Sequence, residues 1–360
     1  MKVGVIAEQL RQEVPGGIGT YLTGLLRGLE ELHAPDIEVI ALASRPHGDE
    51  PLAASGNRIY TSRYSHRLQM ALWDQGWATP KIPLDILHLT SLAGPITSKN
   101  SPPRSVMIHD LSWRHYPELT TRRGERWHEA AFQRVMASPC RILTTSKNVA
   151  NELLETGISQ DRISTVGAGS DHLKVADRGK AQSLLDQLGI RGEFVLTVST
   201  LEPRKNLPRL IEAHHLATKD IDRRVPLLIV GPTGWGPNVR SDPHAILAGR
   251  QPDEVLAGLY ELATCFAYVP LLEGFGLPPL EAMTHGAPVI VSTTTPSTER
   301  ATHCWKVDPL DITGMATAIH TALEDSDART RISAGGREYA KKHRWVDVAS
   351  AHVEVWRTMT

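Results

Sequence analysis

Residues Glu273–Glu281 read EGFGLPPLE, which places two carboxylates, two glycines and two prolines within nine positions. Each type has a chemical use there. Gly274 and Gly276 let the backbone turn tightly and come close to a ligand. Pro278 and Pro279 suit the first turn of a helix, whose leading N–H groups point back at the loop and favour a phosphate or sugar oxygen. Glu273 would hang at the end of a strand predicted over Cys265–Val269, and Glu281 would stand one turn into the helix. Both carboxylates could then face one polyhydroxylated ligand. Two arbitrary glutamates flanking a capped turn would simply be solvated; the crowding of all six residues favours a binding loop.

A second group, Glu202-Pro203-Arg204-Lys205-Asn206, follows the strand predicted at Glu193–Ser199. Pro203 shapes the turn, and Asn206 is placed to N-cap a helix over Leu207–Ala217. Arg204 offers a rigid fork for phosphate oxygens and Lys205 a compact charge. Cations oppose the dipole at a helix N-terminus, so an anionic ligand accounts for them better than a solvated basic pair does. A third segment, Pro15-Gly16-Gly17-Ile18-Gly19-Thr20, lies between a strand at Val3–Ala7 and a helix at Tyr21–Leu32. It suits either a phosphate-approaching loop or a flexible turn. It is not the dinucleotide fingerprint, because it begins well after the strand and its spacing is GGxG. His109, followed by Asp110, ends the strand Ser105–His109. It can donate a hydrogen bond to a sugar hydroxyl or to developing charge, or be satisfied by neighbouring backbone. His88 is placed similarly on the preceding strand, with a weaker case. The loop Val230–Gly236 could pass close to a nucleotide or be an ordinary turn.

These groups need strand ends to hold them, and the chain supplies two series. Apolar runs at Val3–Ala7, Glu38–Ala43, Ile86–Leu89, Ser105–His109 and Arg141–Thr145 alternate with helical patterns at Tyr21–Leu32, Gly124–Ala137 and Asn148–Thr156. A second series runs through Glu193–Ser199, Val225–Val230, Cys265–Val269 and Pro288–Ser292, with helices at Leu207–Ala217, Asp253–Ala263, Pro278–His285 and Ile312–Leu323. Continuously apolar strands separated by helices predict parallel sheets covered on both faces, an α/β chain wound twice. The polar stretch Gly169–Gly179 separates the series. Two more helices are expected near Arg329–Lys342 and Val346–Met359.

Composition excludes several classes. The 360 residues carry 39 Lys and Arg against 40 Asp and Glu, a net charge of −1, so no bulk field favours nucleic acid or a membrane surface. The arginines of Thr120–Arg134 pair with Glu125 and Glu129 at helical spacing and read as a solvated face. Cys140, Cys265 and Cys304 are far apart and match no metal spacing, and two of them sit in apolar strand-like runs, which reads as inert core thiols. No apolar run reaches the roughly 18 residues a bilayer span needs, and the N-terminus lacks a signal-peptide pattern, so a cytoplasmic protein is expected.

Taken in order, PGGIGTYL, MIHD, LEPRKNL, IVGPTGWG and EGFGLPPLEAMTHGAPVI resemble the retaining GT-B glycosyltransferases that use nucleotide sugars. Within that family the chain is most similar to bacterial mannosyltransferase-like members of polysaccharide and cell-envelope pathways. The resemblance spans the whole chain. It implies two Rossmann-like domains with parallel sheets facing across a donor cleft: an acceptor-side domain at 1–172, a nucleotide-sugar domain at 173–345, and a helix at 346–360 crossing back to the first domain. It implies that Glu281 binds the donor ribose and that Glu273 contacts the donor sugar, aided by N–H groups of Gly274, Phe275 and Gly276. Arg204 and Lys205 would hold the diphosphate, His109 would lie at the transferred sugar, and Gly16 and Gly17 would line the phosphate and acceptor side. Because the cations stabilise the leaving group, no metal and no cofactor is implied. The partners implied are a nucleotide-sugar donor and a glycan or lipid-linked acceptor, without nucleic acid and with at most peripheral contact at the inner face of a membrane. GDP-mannose is the donor the resemblance favours.

The chain departs from the family pattern in three places. Leu271 stands where a Ser is common, GAGSD (167–171) replaces an Asn-Gly turn, and PSTERATHC (296–304) replaces a Pro-Glu pair and a Gly-Asp turn near the nucleotide. Two other readings share the architecture. A nucleotide-sugar 2-epimerase would lack EGFGLPPLE, and a non-catalytic nucleotide-sugar-binding protein would be expected to have lost Glu273, Arg204 or Lys205.

Overall fold

A computed structural model describes residues 1–12, 14–45, 57–77, 80–97, 101–173, 175–234 and 244–360. The chain divides into two units, Met1–His172 with Arg344–Thr360, and Leu173–His343.

The first unit contains β1 (Lys2–Ile6), α1 (Gly16–Leu32), β2 (Glu38–Arg45), β3 (Arg58–Ser65), α2 (His66–Asp74), β4 (Ile86–Leu89), β5 (Arg104–Ile108), α3 (Ser112–His115), α4 (Arg122–Met136), β6 (Arg141–Thr144), α5 (Lys147–Glu155) and β7 (Ile163–Thr165). Its sheet is parallel throughout, in the order β3-β2-β1-β4-β5-β6-β7. The second unit contains α6 (Arg178–Gln187), β8 (Val195–Val198), α7 (Leu207–Thr218), β9 (Leu227–Val230), β10 (Ala245–Gly249), α8 (Asp253–Leu262), β11 (Cys265–Tyr268), α9 (Leu277–Thr284), β12 (Val289–Ser292), β13 (Trp305–Val307), α10 (Ile312–Glu324) and α11 (Ser326–Ala340). Its parallel sheet runs β10-β9-β8-β11-β12-β13. Strand order therefore reverses between β1 and β4 in one unit and between β8 and β11 in the other. At such switch points, loops leaving the carboxyl ends of neighbouring strands diverge and open a crevice.

Covering both sheet faces is what makes these strands apolar on both sides. In the second unit Leu196, Leu228, Phe266 and Val289 are buried on one face, and Val195, Leu227, Ile229, Cys265 and Ile290 on the other. Burial pushes the Cys265 thiol up to about 12, in keeping with an inert core thiol.

The last helix, α12 (Trp345–Arg357), lies against α1 in the first unit. Residues 344 and 345 thus group with the first unit, where the boundary is expected after 345. Trp345 and Trp356 are at most 2% exposed. Burying a Trp removes about 150–250 Å² from water, or roughly 4–6 kcal/mol as an upper bound. Trp345 N–H donates to Asp171 Oδ1 at 2.9 Å, so the unusual GAGSD segment caps this helix. Trp356 Nε1 donates to Ser105 Oγ at 3.2 Å, and the Arg357 guanidinium grips Asp36 through bonds of 2.9–3.2 Å.

Candidate active site

The reversal between β8 and β11 collects four charged side chains. After β8 the chain passes through a 3-10 turn, Pro203–Lys205, into α7. Asn206 sits at the N-cap position but makes no side-chain cap, contrary to the sequence expectation. Its backbone is left-handed at φ 60°, which Asn tolerates better than most residues. Its Nδ2 donates to Val269 O and Pro309 O, tying the β8 loop to the end of β11. Leu271 N–H donates to Arg204 O at 2.9 Å, and Arg204 Nη1 donates to Leu272 O at 2.8 Å. The two loops are thus braided by one backbone bond and one from the Arg204 side chain, and Leu271 acts through its N–H.

The braid brings Arg204, Lys205 and Glu273 together. Lys205 Nζ donates to Glu273 Oε1 at 2.6 Å and to Tyr268 OH at 3.0 Å, and Tyr268 OH donates to Glu273 Oε1 at 2.9 Å. Arg204 lies 3.2 Å from Glu273 and donates to Glu202 Oε1 at 2.8 Å. All four charged side chains are 9–18% exposed. Burial alone would raise the Glu273 carboxyl, but the charges of Arg204 and Lys205 overcome it and hold the group below its ordinary range. Burial, reinforced by Glu273, pushes the Tyr268 phenol well above its usual range, so it remains a donor.

Sequence reasoning read Arg204 and Lys205 as cations awaiting an anion. The structure instead has them shared between two carboxylates, Glu202 and Glu273. The second carboxylate and Tyr268 carried no role in that reading. Glu202 stood in the motif, and its signal was its place two residues before the arginine. Tyr268 sits in an apolar strand and reads as core.

Glu281 stands in α9 and is 6% exposed, accepting from Tyr260 OH at 2.9 Å. Gly274 and Gly276 are buried and Phe275 partly so. Gly276, at the N-cap position of α9, has φ +86°, and a Cβ there would lie 2.5 Å from Thr295 Cγ2.

The remaining expected residues belong to the first unit. Gly16 and Gly17 are exposed and form the first residues of α1, not a loop ahead of it. His109 follows β5, and its Nε2 lies 2.9 Å from Thr90 O. A carbonyl only accepts, so Nε2 carries the proton. Burial lowers the ring's pKa, outweighing Thr90 and Asp110, and the neutral ring then offers Nδ1 as an acceptor, not a donor. Tyr21 packs edge-on against His109 with centroids 5.1 Å apart, and its hydroxyl meets His352 Nε2 of α12 at 3.4 Å. His88 is buried in the core, bonded to Ser105 Oγ at 2.8 Å. Of the Val230–Gly236 loop, Trp235 and Gly236 lie outside the described residues.

Residues 185–339 match the family described as Glycosyl transferases group 1, and residues 15–172 match Glycosyltransferase Family 4. The O-antigen chain mannosyltransferase B of Escherichia coli is 30% identical over 268 residues, 70% of this chain and 69% of that protein. The chain belongs to the group 1 glycosyltransferases. The serotype-specific mannosyltransferase WbdA of Escherichia coli is 29% identical to this glycosyltransferase over 290 residues, 74% of the chain. That stretch is 35% of the longer WbdA, so the chain spans about a third of it. Among solved structures, sucrose-phosphate synthase from Thermosynechococcus elongatus superposes with a TM-score of 0.76 at 18% identity, covering 100% of this chain and 99% of that one. Anabaena HepE in complex with UDP-glucose superposes at 0.75 and 16% identity, covering 99% and 100%. The glycosyltransferase thus has the GT-B α/β fold. No helix among the described residues is long and apolar enough to cross a membrane.

Proposed function

We propose that this glycosyltransferase moves a hexose from a nucleotide sugar to a hydroxyl of a glycan or lipid-linked acceptor in cell-envelope polysaccharide synthesis, with retention at the anomeric carbon. Mannose from GDP-mannose is the transfer favoured, and the names of the Escherichia coli relatives support it. The observation that carries the reading is the buried cluster of Arg204, Lys205 and Glu273 at the β8–β11 reversal.

In this reading the bond from the sugar's anomeric carbon to the phosphate oxygen breaks, and its electron pair leaves with the nucleoside diphosphate. Arg204 and Lys205 take up the growing charge. The acceptor oxygen bonds to the same face of that carbon, and its proton passes to the departing phosphate oxygen. Glu273 contacts sugar hydroxyls, with the backbone of Gly274 and Phe275, Gly276 offers its N–H where sugar and phosphate meet, and Glu281 accepts from the ribose. His109 accepts from a hydroxyl of the transferred sugar through Nδ1, and Gly16 and Gly17 line the phosphate and acceptor side.

Product analysis with donor and a mannosylated acceptor tests the reaction. A glycan extended by one α-linked residue from an α-linked donor is expected, and an inverted linkage would overturn retention. Transfer is expected to persist in EDTA, since in this reading Arg204 and Lys205 neutralise the diphosphate. Loss of transfer in EDTA that manganese or magnesium restores would show otherwise. Glu281→Ala should raise the donor Kd roughly tenfold, because hydrogen bonds to a charged group are worth about 1.5–3 kcal/mol. Isothermal titration calorimetry reads this directly, and an unchanged Kd removes Glu281 from the donor site.

A further inference from the structure

We infer that Ser297, in the segment 296–304 that departs from the family pattern, is a positioning residue that aims the glycine loop's N–H groups at the terminal phosphate of the nucleoside diphosphate. The inference rests on the donor reading above. Ser297 is 2% exposed and lies in a short 3-10 turn, Pro296–Thr298. It bonds the glycine loop twice. Its N–H donates to Phe275 O at 2.8 Å, and its hydroxyl donates to Gly276 O at 2.6 Å. Its own carbonyl accepts from Tyr339 OH of α11 at 2.9 Å, which anchors it from behind. The same hydroxyl-rich segment holds the start of the loop, through Thr294 Oγ1 donating to Pro270 O at 2.8 Å.

Peptide geometry turns these bonds into an orientation. All peptide bonds here are trans, so the carbonyl of one residue and the N–H of the next point in opposite directions. With the Phe275 and Gly276 carbonyls drawn to Ser297, the N–H groups of Gly276 and Leu277 face the other way. Gly276 is left-handed and Leu277 is the first residue of α9. Successive N–H groups at such a residue form a concave nest suited to an anionic oxygen. Its intrahelical partners are absent by helix geometry, and the α9 dipole favours negative charge there. The nest lies a few residues beyond Glu273, whose carboxylate is bonded to Lys205. An apolar residue at 297 would leave the Gly276 carbonyl free to rotate, and the Leu277 N–H would rotate with it.

The test compares GDP with GMP, and UDP with UMP, by calorimetry on wild type, Ser297→Ala and Tyr339→Phe. For the base that the wild type binds more tightly, Ser297→Ala should weaken diphosphate binding about fivefold while leaving the monophosphate unchanged, since one oriented donor is lost. Tyr339→Phe should weaken the diphosphate in the same direction but less. Equal losses for monophosphate and diphosphate, or no loss in either variant, overturn the inference. Wild-type protein that binds none of the four nucleotides overturns the donor reading itself. If Ser297→Ala misfolds by circular dichroism, Tyr339→Phe, which leaves both loop bonds in place, still decides by the same ratio.

Discussion

Lys205→Ala should lower kcat by about 100- to 1,000-fold while raising the donor KM far less, with an unchanged circular dichroism spectrum. The reason is when the interaction strengthens. In the ground state of the proposed reaction the diphosphate charge is spread and the Lys205 ammonium already has partners, bonding Glu273 at 2.6 Å and Tyr268 at 3.0 Å. As the glycosidic bond breaks, negative charge concentrates on the leaving phosphate, and attraction to a cation held in a buried site rises with it. Only an interaction that strengthens along the reaction lowers the barrier. Arg204→Lys should also be impaired. The guanidinium spans Leu272 O, Glu202 and Glu273 at once, and a point charge cannot hold that fork. If both residues were bystanders, both variants would keep kcat near wild type in steady-state kinetics.

The pairing of the cations with two carboxylates sharpens this expectation. Removing Lys205 leaves Glu273 with one cation fewer in a buried site, so its carboxyl should rise toward its ordinary range. A Glu273 that gains its proton at a higher pH than in wild type would lose the charge that strengthens its acceptance from a sugar hydroxyl. The Lys205→Ala defect should therefore deepen as pH falls, beyond the pH dependence of wild type, in kcat/KM profiles taken side by side.

How far the sequence speaks for itself depends on whether one signal suffices. Arg204, Lys205 and Glu273 were legible because both motifs follow apolar strands, and neighbouring parallel strands bring their ends together. Tyr268 was not, since a tyrosine within CFAY is indistinguishable from core until its hydroxyl is seen bonding Glu273 and Lys205. Ser297 was not, because STTTPST reads as a loop whatever it touches. Among elements, β3 went unread for want of an apolar run: RIYTSRYS lies at the sheet edge and is partly exposed throughout. The helix α6 also goes unread, because only Ala181 and Leu185 of its ten residues are buried. The start of α1 was placed too late because glycine disfavours a helix by about 1 kcal/mol. Packing overrides that propensity. Gly19, Gly24 and Gly28 all stand where a Cβ would come within about 2.2 Å of a neighbour.

That close approach yields the second large effect, and its sign is the test. By helix propensity alone, Gly28→Ala should stabilise α1 by about 1 kcal/mol. In the structure a Cβ at Gly28 would sit 2.2 Å from the backbone oxygen of Trp345, and one at Gly24 2.1 Å from the Trp345 ring. A backbone carbonyl cannot swing aside as a flexible side chain would, and the ring is only 2% exposed, so α12 must move off α1. Overpacking of this kind typically costs about 1–3 kcal/mol, and losing contacts around Trp345 and Trp356 adds to it. Gly28→Ala should therefore lower the calorimetric Tm by several degrees, at about 2–4 °C per kcal/mol for a unit of this size, and Gly28→Val should lower it further. Gly17→Ala is the control. It lies in the same helix, and its Cβ would meet nothing within 4 Å, so Tm should hold or rise. A higher Tm for Gly28→Ala would mean that α12 is not seated on α1. The displacement should also reach His109, proposed above to contact the transferred sugar, because Tyr21 packs against Trp345 and His352 on one side and against His109 on the other. At temperatures where Gly28→Ala remains folded, its donor KM or kcat should shift while that of Gly24→Ala, which presses on the ring that Tyr21 touches, shifts at least as much.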